Sequence, residues 1–228
     1  MNPARLVSLT FDGTTLGHLE IVGPILRDLG LAGTFYARAE NLLRAVRDWQ
    51  EVAAGGFEIG DGCLSAAARP DGFVALSRDA IAGELQASAD LLDHLFEGPR
   101  SFGFPWGMPS CEEGEYREIV TAAYSVARAG IEGHNTKTDT DFGYLRCIPC
   151  EGYSGSELVD LAENALAADE WILFAFDGIG EGEPSVDRGA FLALAEHLAQ
   201  TGAPCATVIE GATLWRAAIA HVEAGPSG

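Results

Sequence analysis

Three aspartates directly follow segments that are predicted to be β-strands. Asp12 follows residues 6–11, Asp61 follows residues 57–60, and Asp177 follows residues 171–176. Carboxylates that share one pocket raise each other's pKa, so one can be a protonated acid while another is an ionised base. Such a pair suits proton transfer, elimination, cyclisation or hydrolysis of an activated C–N bond. The same oxygens could instead hold a hard cation such as Mg²⁺ or Ca²⁺.

Two further features are weaker candidates for chemistry. His134 lies in the polar loop 133–141, close to Asp139 and Asp141, from which it could reach a pocket. Cys147–Cys150 is a single CxxC pair within a predicted strand, and structural cysteines are favoured over zinc or redox chemistry because no second pair follows. The sequence has no phosphate-binding glycine loop and no G-x-S-x-G nucleophile motif.

Short apolar runs alternate with amphipathic helical stretches along the chain, which predicts an α/β fold with parallel strands. The predicted strands cover residues 6–11, 33–37, 57–60, 102–104, 125–127, 171–176 and 206–209, with a further one around the CxxC pair. The predicted helices cover residues 18–29, 42–53, 77–96, 116–123, 157–167, 188–201 and 212–222. This order predicts a (β/α) barrel of about seven strands, with functional residues on the loops after the strands. We expect a single domain over residues 1–223 and a flexible tail over 224–228.

Four motifs resemble those of the polysaccharide deacetylase family (NodB-homology domain, carbohydrate esterase family 4). In chain order they are residues 10–14 (TFDGT), 57–61 (FEIGD), 102–107 (FGFPWG) and 172–180 (ILFAFDGIG). The resemblance implies a distorted, incompletely closed (β/α)7–8 barrel. It also implies that Asp12 is the general base, because Asp12 occupies the first aspartate of the family motif T-F-D-D-G.

The residues that would bind a metal in this family are missing. Gly13 stands where the family has the metal-binding second aspartate, and Gly62 and Ala66 stand where it has two histidines. None of the three has a donor side chain, so we expect no metal site of the family type and no cofactor. Ordinary metal-dependent N-acetyl hydrolysis should then be lost or very slow, because the cation would activate the water and stabilise the oxyanion.

Two other family positions also differ. Asp177 stands where the family has the histidine that acts as general acid, and a carboxyl group ordinarily has a much lower pKa than imidazole. The arginine that commonly orients the catalytic aspartate would fall at Gly103.

Four residues are candidates for contacting a substrate. Trp106 could stack on a sugar ring or belong to the core, and Phe104 lies in the same motif. His18 matches the stretch T-L-x-H-x-E that is often found in family members. His134 is the fourth candidate.

The formal net charge of −20 makes nucleic acid and anionic membranes improbable partners, because both are negatively charged. Five cysteines without a framework spacing are typical of a reducing compartment, and the N-terminus does not resemble a signal peptide. No segment has the roughly 18 apolar residues of a membrane span. The sequence therefore predicts a cytoplasmic protein that acts on a small polar or sugar-like molecule, and leaves its oligomeric state open.

Three functions remain open. The first is a metal-independent enzyme with Asp12 as base and Asp177 as acid or substrate anchor, assisted by Asp61. The second is a catalytically inactive pseudoenzyme that binds carbohydrate or a protein partner. The third is a deacetylase with an improvised metal site. The first is favoured, because carboxylates replace the lost groups where a decaying site would drift toward neutral residues.

Overall fold

Parallel strands alternating with helices make up the protein, and the computed structural model describes residues 5–63, 73–180 and 185–223. The strands are β1 (Leu6–Asp12), β2 (Thr34–Ala37), β3 (Glu58–Asp61), β4 (Phe102–Gly103), β5 (Ser110–Cys111), β6 (Gly114–Glu115), β7 (Ala127–Glu132), β8 (Leu145–Pro149) and β9 (Trp171–Phe176). The helices are α1 (Gly23–Leu29), α2 (Ala39–Leu42), α3 (Val46–Ala54), α4 (Arg78–Leu95), α5 (Arg117–Ala123), α6 (Gly155–Ala167), α7 (Arg188–Thr201) and α8 (Val208–Glu223). The expected tail 224–228 lies outside the described residues.

Seven of these strands form a closed barrel in the order β1-β2-β3-β4-β7-β8-β9. The ring closes between β1 and β9, which pair in parallel from Leu6–Trp171 to Phe11–Phe176. The shortest pairing, between β3 and β4, has the single partner pair Asp61–Phe102. The predicted (β/α) barrel is confirmed, and its ring of strands is complete. Its irregularity lies in the short β3–β4 pairing and in a register shift between β7 and β8.

The core explains why the strands are almost continuously apolar. Every residue from Leu6 to Phe11 is buried, since one face of β1 lines the barrel interior and the other packs under the helices. Phe11 stacks on Phe35 of β2 and Phe176 of β9, with ring centroids 5.0 and 5.4 Å away, and packs edge-on against Phe191 of α7. These rings join the β1–β9 closure to the outer helices.

The strand predicted at residues 206–209 is wrong, because α8 already begins at Val208. The backbone N–H of Val208 donates to Thr34 Oγ1, and that of Ile209 donates to the buried carboxylate of Glu58. These are N–H groups of the first helical turn, which lack partners within the helix and need an acceptor from elsewhere. The acceptors on β2 and β3 therefore fix a helix start. Among the described residues, the strand-like pairing nearest to this segment is the Val7–Cys205 bridge, which lies just before it.

Other element boundaries also differ from the prediction. The helix predicted from His18 begins as a π-helical turn, His18–Val22, before α1. The predicted strand at 125–127 instead continues to Glu132 as β7. Cys147 in β8 and Cys150 just after it are both buried and free, with thiols that donate to the carbonyls of Ala129 and Ile148.

The described helices include none with both the length and the apolar character needed to cross a membrane.

Two glycines with the same backbone conformation allow a matched test of the barrel rim. Gly107 and Gly30 both have φ of +67°, but a Cβ at Gly107 would lie 2.2 Å from the Cα of Gly130, whereas nothing lies within 4 Å of one at Gly30. We expect Gly30→Ala to cost about 1 kcal/mol for the left-handed backbone. Gly107→Ala should cost about 3 kcal/mol because the backbone of β7 must also move. Urea unfolding of both variants measures the difference, and equal costs would contradict this packing of β7 against the Gly107 turn.

Candidate active site

A cavity of about 150 Å³ opens at the carboxyl ends of the barrel strands. Its charged lining residues are Asp12, Arg38, Arg128, Glu151 and Asp177, and its apolar lining includes Phe104, Pro105, Trp106 and Ala175. Asp12, Arg38 and Asp177 lie at or just after the ends of β1, β2 and β9. The closed ring therefore brings together side chains that are far apart in sequence.

Asp12 is ion-paired with Arg128, a residue that the sequence analysis did not single out. Arg128 Nη2 lies 2.6 Å from both carboxylate oxygens of Asp12, and the side chains are 4% and 28% exposed, respectively. Burial by itself would lower the pKa of Arg128, but the charge and hydrogen bond of Asp12, together with Cys147 and Tyr36, outweigh it, so the pKa of Arg128 is raised. The guanidinium also lies over the ring of Tyr36, with its carbon 5.0 Å from the ring centroid.

Tyr36 explains why the arginine comes from β7 and not from β4. Gly103 and Arg128 are register partners on the neighbouring strands β4 and β7. The Tyr36 ring occupies the space above Gly103 and Gly60, where an added Cβ would lie 2.8 and 2.6 Å from ring atoms. A side chain at position 103 would displace this ring. The guanidinium that faces Asp12 therefore projects from the next strand, which no sequence signal on β4 could indicate.

Asp177 faces the same cavity and has an unusual titration. Burial, together with the negative charges of Asp12 and Glu151, raises its pKa to about 7. Its backbone N–H donates to Glu151 Oε1 at 3.2 Å, which fixes Glu151 beside it. Asp177 can therefore carry a proton near neutral pH, as a general acid must.

The residues at the family's metal-binding positions do not fit a metal. Gly13 and Gly62 both line the cavity and supply no donor. The guanidinium carbon of Arg38 lies 3.6 Å from where a Cβ of Gly13 would be, so a fixed positive charge stands beside the position that the family fills with an anionic ligand. Ala66, at the third position, lies outside the described residues. Within the described part of the chain, no three His, Cys, Asp or Glu side chains are grouped so as to hold a metal ion.

Asp61 is not among the residues that line this cavity. Its carboxylate is fully buried and accepts hydrogen bonds from Ser88 Oγ at 2.6 Å, from the backbone N–H of Cys63 at 2.8 Å and from the Tyr124 hydroxyl. Burial raises its pKa, while these bonds oppose the shift. The structure thus does not bring Asp61 together with Asp12 and Asp177, but bonds it to α4 and to the segment before β7.

The two candidate histidines lie apart from the cavity lining. His18 is fully buried, and its Nε2 bonds the backbone carbonyl of Asp177 at 2.8 Å while its Nδ1 accepts from the N–H of Thr15. Burial lowers the pKa of His18 to about 4, so the ring is neutral and holds the loop after β9 against the loop after β1. His134 Nδ1 contacts Glu170 Oε2 at 2.7 Å. Glu170 immediately precedes β9, whereas Asp177 follows it, which is roughly 20 Å further along the strand.

Trp106 and Phe104 both line the cavity but differ in exposure. Trp106 is 42% exposed at the rim, and Phe104 is 1% exposed and packs on Tyr116 and Tyr144.

Trp106 has φ of +54°, a conformation that costs a non-glycine residue about 1–2 kcal/mol. Thr14 and Cys63, which follow β1 and β3, share this feature, with φ of +46° and +69°. Backbone strain thus recurs after the strands on this side of the barrel, as is common at functional sites.

The sequence matches no protein-family model and no curated protein, whereas solved structures match over most of the chain. A CE4 family pseudoenzyme from Bacillus anthracis has a TM-score of 0.59 and 16% identity, over 92% of this chain and 66% of that one. A family 4 acetyl xylan esterase from Clostridium thermocellum, in complex with a cobalt ion, has a TM-score of 0.59 and 18% identity, over 92% of this chain and 91% of that one. The peptidoglycan deacetylase PdaC from Bacillus subtilis has a TM-score of 0.55 and 13% identity, over 93% of this chain and 92% of that one. The chain thus spans just under two thirds of the pseudoenzyme's length, and at these identities the matches show a shared fold.

The raised pKa of Asp177 predicts a pH dependence of stability. Between pH 4 and 7 the folded protein keeps a proton that the unfolded chain, with an ordinary pKa of 3.8, releases. The free energy of unfolding should therefore fall as pH rises through this window. Asp177→Asn removes the titration, so the variant should match the wild type near pH 4 and exceed it by about 2 kcal/mol at pH 8, allowing for partial solvent screening.

Urea unfolding at several pH values checks this expectation. Asp28→Asn, at an exposed position of α1, is the matched control and should keep the wild-type pH profile. If Asp177→Asn showed the wild-type slope between pH 4 and 7, the carboxyl group of Asp177 would not hold its proton as described.

Proposed function

We propose that this protein is a divergent relative of the carbohydrate esterase family 4 deacetylases that performs metal-independent acid–base chemistry on a small polar or sugar-derived molecule. One observation carries the proposal. Asp12 and Asp177 face one cavity in different environments, since Asp12 is paired with a guanidinium and Asp177 has a pKa of about 7. Two carboxyl groups in such different environments can supply a base and an acid to one substrate.

Asp12 is the base and Asp177 the acid in the proposed reaction. In hydrolysis of a C–N bond, Asp12 accepts a proton from the attacking water as the new C–O bond forms. Asp177 donates its proton to the leaving nitrogen as the C–N bond breaks, and proton exchange with solvent restores both groups. Elimination or cyclisation would use the same two transfers on other atoms. Arg128 holds the Asp12 carboxylate in place during these steps, through bonds to both of its oxygens.

The rim of the cavity supports a substrate with a flat or ring-shaped face. The exposed indole of Trp106 stands beside the cavity and offers a stacking surface of the kind used at carbohydrate sites. The net charge of −20 supports a small-molecule partner over nucleic acid or anionic lipid, and a cytoplasmic location remains part of this proposal.

A binding protein without catalysis is the second candidate, and one contact favours it. Both oxygens of Asp12 already accept hydrogen bonds from Arg128, which leaves less of the carboxylate available to a substrate proton. The Bacillus anthracis structure with this fold is itself described as a pseudoenzyme. A deacetylase with an improvised metal site is less supported, because the Arg38 guanidinium stands beside the Gly13 position.

The test is a turnover screen of small polar compounds with amide, lactam or ureide bonds, read by mass spectrometry on chelator-treated protein. We expect a turned-over compound, and a rate that declines above pH 7 as Asp177 loses its proton. Asp12→Asn and Asp177→Asn should each lower kcat by about 10²–10⁴-fold, because each removes one proton transfer. Asp28→Asn is the control and should retain the wild-type kcat.

Three results would count against this function. Activity that appears only after Zn²⁺ or Co²⁺ is added would favour the deacetylase with an improvised site. Compounds that bind without turnover would favour the binding protein. Turnover that survives in both aspartate variants would place the chemistry elsewhere.

A further inference from the structure

Arg38 places in the cavity a guanidinium that has no partner within residues 5–63, 73–180 and 185–223. No described residue accepts a hydrogen bond from its side chain or forms an ion pair with it, and its Nε is buried without a partner. A buried donor without an acceptor costs roughly 1–3 kcal/mol, so this arrangement is unfavourable unless something else binds there. Arg128, the other arginine of the cavity, also has a buried Nε without a partner among the described residues, but its charge is matched by the ion pair with Asp12.

The backbone around Arg38 is built to hold it in this position. Its N–H donates to Thr14 Oγ1 at 3.2 Å, and its carbonyl accepts from the same hydroxyl. Asn41 Nδ2 donates to the carbonyl of Gly13 at 2.7 Å, which ties the same two loops together. Gly13 has no side chain, and the guanidinium lies against its open face. The loops after β1 and β2 therefore fix a cationic group at the cavity wall.

We propose that Arg38 is the binding site for a carboxylate group of the substrate, so that the substrate is a small carboxylic acid. A guanidinium binds a carboxylate through paired N–H donors, which would satisfy the buried Nε. The assignment of substrate class rests on the proposed function, whereas the anion site itself rests only on the contacts of Arg38.

The charges of the cavity favour a monoanion over a dianion. Asp12, Glu151 and Asp177 line the same cavity as Arg38 and Arg128. Each further negative charge on the ligand must approach these carboxylates, and like charges at such distances repel strongly in a partly buried site. A single carboxylate gains the Arg38 contact with the least repulsion. It also adds a negative charge near Asp177, which favours the protonated, acid form of that group.

Binding of simple anions to the whole protein tests the site without any knowledge of the substrate. The probe is acetate, titrated by calorimetry at pH 6 and constant ionic strength, with neutral acetamide and the sulfate dianion as comparisons. We expect millimolar binding of acetate, no binding of acetamide, and weaker binding of sulfate.

Variants of Arg38 assign the binding to this residue. Arg38→Gln should weaken acetate binding at least about tenfold, because a charge-assisted hydrogen-bonded pair is lost. Arg44→Gln, at an exposed position after α2, changes the net charge equally and should bind as the wild type does. If Arg38→Gln does not fold, Arg38→Lys keeps the charge but lacks the planar fork and should still bind at least threefold more weakly.

The proposal is overturned if no anion binds, if acetamide binds as well as acetate, if sulfate binds more tightly than acetate, or if acetate binding is undiminished in the Arg38 variants. Failure of the proposed function looks different. Acetate that binds through Arg38, with no compound turned over, would leave the anion site standing and remove the acid–base enzyme. Turnover of neutral compounds, with kcat/KM unchanged in Arg38→Gln, would leave the acid–base enzyme standing and remove the carboxylic acid substrate.

Discussion

The arrangement of the cavity depends on the buried contact between Arg128 and Asp12. A guanidinium that is 4% exposed inside a barrel needs an anionic partner, since an isolated buried charge is very unfavourable. Asp12 supplies that partner from the end of β1, and the ring of Tyr36 supports the guanidinium from the side. The same contact fixes the carboxylate that we assign as the base, so the fold and the proposed chemistry share one ion pair.

Glycines make room for the side chains that surround this ion pair. Gly60 and Gly103 leave the space that the Tyr36 ring fills, and Gly13 leaves the space against which Arg38 lies. The glycine at position 13 thus has a structural consequence beyond the loss of a metal ligand, because a guanidinium lies against the side where a ligand side chain would project. The cavity holds its positive charge on two arginines, and its electrostatics follow from how they are paired.

Only one of the two arginines has its charge matched by a close ion pair within the described residues. Arg128 is matched by Asp12, whereas Arg38 has no such partner in the described part of the chain. Asp177 retains a proton near neutral pH because it is largely buried and lies close to Asp12 and Glu151. An anionic ligand group would complete this set of charges. The acid, the base and the binding group proposed here therefore arise from one electrostatic balance at the ends of β1, β2 and β9.

The sequence by itself determined the barrel, the positions of most strands, and the placement of Asp12, Asp177 and Trp106 at one end of it, because apolar runs and strand-end residues are local signals. It also showed that Gly13 and Gly62 cannot bind a metal. Only the tertiary structure decided the rest, since register and helix packing are not local. Register placed Arg128 opposite Gly103, and packing of α4 enclosed Asp61 away from the cavity. Burial turned His18 into a neutral link between loops.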